Sequence, residues 1–82
     1  MNPERAMQKG QLADIERKIE DLAVKARADI MLIRMVINPY EPDLTKLKTD
    51  EALSAMKSLD RHIEDMRALR KVEADLREAL GE

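Results

Sequence analysis

The chain has no cysteine, no phenylalanine and no tryptophan, and Tyr40 is its only aromatic residue. Without cysteine there is neither a disulfide nor a thiolate metal site to hold together a chain of 82 residues. A core must be assembled from Leu, Ile, Val, Met and Ala, each contributing roughly 1.5–3 kcal/mol when fully buried and less for Ala. Histidine occurs once, at His62, and glycine twice, at Gly10 and Gly81. No phosphate loop, dinucleotide fingerprint, nucleophile elbow or metal-ligand cluster is present. The expectation is a non-enzymatic protein with no catalytic, cofactor-binding or metal-binding residues.

A long apolar run is also missing. The longest spans 30–37 and is interrupted by Arg34, well short of the ~20 residues that cross a bilayer. The first ten residues lack the apolar centre of a signal peptide. Neither sign of charge dominates: the net charge is −2, which argues against a bulk nucleic-acid or membrane-surface binder. Hydrophobic residues make up 44% of the chain, too many for an acidic disordered chain. These readings predict a single-domain cytoplasmic protein of bacterial or viral origin, with no membrane contact.

What the chain does have is helical periodicity. Leu12, Ile15, Ile19, Leu22 and Ala26 recur at spacings of three and four, the seam of an amphipathic helix. Strict heptads would next select Asp29; apolar character selects Ile30, Ile33 and Ile37 instead, a local eleven-residue period that keeps helices nearly straight. Asn38-Pro39 stops the helix, because proline disfavours the α conformation before it and lacks an N–H. A second apolar series runs through Ala52, Leu53, Met56, Leu59, Ile63, Met66, Leu69, Val72, Leu76 and Leu80, with a phase slip between Met66 and Val72. Thr49-Asp50-Glu51 reads as its N-cap and Gly81 as its C-terminal glycine. Asn2-Pro3-Glu4 looks like an earlier helix start, weakened by Gly10.

The organisation predicted is a frayed or flexible extension over 1–10, then one all-α domain over 11–82. That domain is an antiparallel, coiled-coil-like two-helix hairpin: helix 11–38, loop 39–49, helix 50–80. Residues 30–37 are apolar nearly all the way round, which one folded-back neighbour cannot cover. Self-association is therefore expected through Ile30, Met31, Ile33, Val36, Ile37, Met56, Leu59, Ile63 and Met66. A homodimeric four-helix bundle is the simplest closed form, with higher homo-oligomers or another protein as further partners.

Several residues admit two readings. His62 borders the apolar stripe and lacks the second histidine that a bundle metal site would use, so it reads as a boundary or interface residue. The methionines at helical spacing read as core filler rather than a promiscuous groove. Arg61, Arg67, Arg70, Lys71 and Arg77 give the second helix a basic component, the basis of an alternative reading as a small nucleic-acid-associated regulator; interleaved acids favour a solvated face. Asp21 and Asp29 lie at the stripe's edge or act as buried polar specificity devices. Arg34 snorkels or pairs with an acid of another chain. Glu73 and Arg77, four apart, read as an exposed helical pair. Tyr40 either caps the bundle end with its hydroxyl in water or anchors a partner.

The apolar run 30–37, then Asn38-Pro39-Tyr40, then a helix opening Thr49-Asp50-Glu51-Ala52-Leu53, resembles small uncharacterised helical proteins of Mu-like bacteriophages and prophages. The resemblance covers most of the chain, with the loop as its distinctive part. It implies a phage or prophage accessory protein and carries no functional residue onto this sequence.

Overall fold

The computed structural model describes residues 3–82, which form a two-helix hairpin with no strand among the described residues. Helix α1 spans Pro3–Val36 and helix α2 spans Thr49–Ala79, joined by a loop containing a 3₁₀ turn at Leu44–Lys46. The hairpin measures 65 × 17 × 14 Å. At 1.5 Å per residue the helices run about 51 and about 46 Å, so they lie along each other for most of their length.

The helix begins eight residues earlier than periodicity indicates. Residues 3–10 belong to α1. The Arg5 guanidinium donates to the Leu80 carbonyl at 3.2 Å, tying the start of α1 to the end of α2. Leu80 is the most deeply buried of the core residues, so that hydrogen bond joins the start of α1 to a packed end of the hairpin, a contact that no local pattern reveals. The expected cap at Asn2 lies outside the described residues. Gly10 sits inside the helix with open space around it.

Both seams follow strict heptads. On α1 the least exposed positions are Gln8, Leu12, Ile15, Ile19, Leu22, Ala23, Ala26, Asp29, Ile33 and Val36. On α2 and its C-cap they are Ala52, Ala55, Ser58, Leu59, His62, Ile63, Met66, Leu69, Glu73, Leu76 and Leu80. With Ala23, Ser58 and Ile63 set aside as neighbours of the seam, spacings of three and four alternate without interruption in both helices. The eleven-residue period and the phase slip near Met66 are therefore not present. Asp29 and Glu73 hold the places that apolar counting assigned to Ile30 and Val72, and both of those apolar residues stay exposed. An unbroken seven-residue pattern keeps the seam facing one partner through a gentle left-handed wrap.

The ends of the helices have clear local causes. After Val36 the chain turns at Asn38, whose side-chain oxygen accepts from the Tyr40 N–H at 3.0 Å and whose carbonyl accepts from the Glu41 N–H at 3.2 Å. Asp43 caps the 3₁₀ turn, accepting from the Thr45 N–H at 3.1 Å and from its hydroxyl at 2.6 Å. Thr49 is the first helical residue of α2 rather than its cap, and no side chain caps that end. At the far end Gly81 has φ +77°, the Glu82 N–H donates to the Arg77 carbonyl and the Gly81 N–H to the Glu78 carbonyl. This is the Schellman arrangement that a C-terminal glycine permits. Leu47 is half-buried beneath the loop, whereas Leu44 and Tyr40 are exposed, Tyr40 at 87%. The tyrosine ring caps nothing within this hairpin.

Candidate interaction surface

Two cross-helix contacts set the register. His62 Nδ1 lies 2.9 Å from Asp29 Oδ2, and the Arg77 guanidinium donates to Glu16 Oε1 at 2.7 Å. The first pair sits in the seam, with both side chains about four-fifths covered. The second lies on one flank of it. Because seam and flank share the seven-residue repeat, residues 16, 23 and 30 of α1, residue 37 just beyond its end, and residues 56, 63, 70 and 77 of α2 line that same flank. The opposite flank is polar for most of its length and holds a shallow groove between Gln11, Lys18 and Val72.

The Glu16–Arg77 flank divides along its length. Toward the chain ends it carries Glu16, Arg70 and Arg77. Toward the loop it carries Ala23, Ile30, Ile37, Met56 and Ile63. Ile30 is 41% exposed, Ile37 37% and Met56 49%. Leu53, a turn away from Met56 on α2, is also exposed. On the outer side of α1, Met31 and Met35 are about 70% exposed beside Arg34. Exposed large apolar residues are thus concentrated at the loop-proximal half of the hairpin rather than scattered singly, the distribution that marks interaction sites.

The residues expected to associate divide into two groups. Leu59 is buried, and Ile33, Val36 and Met66 are half-buried in the seam between the chain's own helices. Ile63 is half-buried on the flank, while Ile30, Met31, Ile37 and Met56 are exposed. Ile33 in particular serves the hairpin itself, so altering it would disturb the hairpin before any assembly.

The five basic residues of α2 do not form one face. A helix turns about 100° per residue, which sets Arg61 about 180° from Arg70. Arg70 donates to Glu73 at 2.9 Å, and Arg77 bridges Glu16 and, at 3.8 Å, Glu73. Glu73 itself is buried, at 8% exposure. It is a seam residue whose charge is met by arginines one turn to either side, and not half of an exposed pair. Asp14 pairs with Arg17 on the outside of α1 at 2.7 Å.

Sequence periodicity missed Asp29, His62 and Glu73 as seam residues. The signal was there: Asp29 follows Ile15 and Leu22 by sevens, and Glu73 follows Leu59 and Met66. Among the described residues no group of three or more His, Asp or Glu side chains is placed to hold a metal ion. No helix of the described residues is long and apolar enough to cross a membrane. No protein-family model, curated protein or solved structure matches this chain.

Proposed function

We propose that the protein is a non-enzymatic structural or interaction module, a helical hairpin that works as a homo-oligomer and pairs with a second copy through its apolar flank. The observation that carries this reading is the cluster of Ile30, Ile37, Met56 and Ile63 beside the seam.

Surface area supports it. The hairpin exposes 6616 Å², where a compact monomer of this mass exposes about 5,000 Å² and the unfolded chain about 13,600 Å². The hairpin therefore buries about half of its surface, below the roughly 60% typical of even a 60-residue domain. Among the described residues no large side chain is fully enclosed. A standard interface covers about 800 Å² per partner, which would raise the buried share to about 57%. A homodimeric four-helix bundle supplies that cover with no ligand, disulfide or metal. The phage or prophage accessory role implied by the loop resemblance fits such a scaffold.

Gel filtration with light scattering tests the reading. The expected mass is twice 9.4 kDa or a higher multiple. A single species at 9.4 kDa at micromolar concentration would refute it.

A further inference from the structure

Resting on that self-association, we infer that two copies pack side by side in the same direction, loop beside loop, with the flank of Ile30, Ile37, Met56 and Ile63 between them. The Asp29–His62 and Glu16–Arg77 contacts establish which residues of α1 and α2 lie level. They place the apolar half of the flank next to the loop and the charged half next to the chain ends.

That division decides the direction. Fully overlapped copies running oppositely would set the apolar half of each against Glu16, Arg70 and Arg77 of the other, taking these half-exposed ion pairs out of water against side chains that offer them no further hydrogen bond. Opposed copies overlapping only at their loop halves would cover the apolar cluster but leave the charged halves with no contact. Copies running the same way match like with like along the whole flank.

Like-on-like matching works for the charged half because that half carries both signs. A two-fold axis parallel to the helices puts α1 of one copy beside α2 of the other. Glu16 then lies level with the partner's Arg77, and Glu20, one turn on, with the partner's Arg70. Near the loop, Arg34 lies level with the partner's Asp60. Glu16 and Arg77 each keep nearly half of their side-chain surface exposed after bridging within the chain, and a guanidinium has donors to spare for a second carboxylate. Glu20, Arg34 and Asp60 are exposed and make no ion pair within the described residues. Arg27 and Arg67 are the like-charged pair at one level, and their long stems can carry both heads outward to water.

The chain's lack of cysteine makes a single introduced label unambiguous. Met7 is exposed in the first turns of α1, near one extremity of the hairpin and away from the flank, so Met7→Cys bearing a nitroxide reports direction without entering the interface. Pulsed electron resonance on the labelled protein should give one distance distribution below about 40 Å, since packed helices lie 8–10 Å apart and a four-helix section is about 20 Å across. Light scattering on the same sample should give a dimer. A dimer with label separations above about 40 Å, which reversal of the 65 Å hairpin imposes on residues near its end, overturns the common direction while leaving self-association standing. A monomer overturns both.

Discussion

Asp29 and His62 face each other across the seam at 2.9 Å, each at a position where the heptad repeat calls for an apolar side chain. The pair links the two helices 33 residues apart in sequence. Polar groups at such positions are tolerated when each satisfies the other, and they disfavour registers that would separate them. Each residue is conditional on the other.

His62→Leu should therefore destabilise the protein by about 1–3 kcal/mol, because Asp29 is left partly buried without its partner. Asp29→Leu together with His62→Leu should recover that loss or exceed the starting stability, as replacement of a polar pair by packed apolar groups often does. Urea unfolding of the two single variants and the double at one protein concentration gives the coupling, expected at about 1–2 kcal/mol. Additive effects would show that the pair contributes nothing as a pair.

Much of this architecture is legible in the sequence, and the exceptions share a cause. Leu12 through Ala26 mark the seam because every position there is apolar, and Asn38-Pro39 marks the stop because proline cannot continue a helix. Apolar counting goes astray where a polar residue holds a seam position. At Asp29 its compensation comes from His62 in the other helix, and at Glu73 from Arg70 and Arg77 on neighbouring turns. A hydrophobicity count registers the polar residue and not its partner. The start of α1 is hidden for a related reason, since Arg5 and Leu80 stand at opposite ends of the chain. At the candidate interface, Ile30 and Ile33 look alike in sequence; only the register separates the flank residue from the seam residue.

Glu73 gives a second test of the seam. Its carboxylate is buried between Arg70 and Arg77, and removing charges from water offsets most of what such pairing contributes. Glu73→Leu would continue the apolar series of Leu59, Met66 and Leu80. It should raise stability by about 1–3 kcal/mol in chemical denaturation. A loss of stability of similar size would mean that the arginine pairing outweighs apolar packing at this position.

The two glycines should respond in opposite directions. Gly10 lies within α1 and a Cβ there meets no atom within 4 Å, so Gly10→Ala should stabilise by about 1 kcal/mol. Gly81 holds φ +77°, so Gly81→Ala should cost about 1 kcal/mol through left-handed strain. Thermal melts of both variants compare the effects directly. If Gly10→Ala has no effect, the first turns of α1 are not contributing helix to the fold.

Asp43 carries the pH dependence of the loop. The hydroxyl and then the N–H of Thr45 hold its carboxyl below the ordinary value of 3.8. A carboxylate depressed on folding adds stability above its unfolded pKa, and that stability is lost as pH falls through the folded pKa. The Thr45 amide signal should therefore titrate with a midpoint below 3.8. Thr45→Val should return Asp43 toward that value by removing the larger cause. An Asp43 titration at or above the ordinary value would contradict the cap.

Cover of the Ile30–Ile37–Met56–Ile63 flank by a second copy makes thermal unfolding depend on protein concentration. For a chain whose folded form is a dimer, raising the concentration from about 1 to about 100 μM should raise the midpoint by about 8 °C. Ile30→Glu combined with Met56→Glu, both on the exposed flank, should lower the midpoint and weaken its dependence on concentration. A wild-type midpoint that stays constant across that range would mean that no second copy covers the flank.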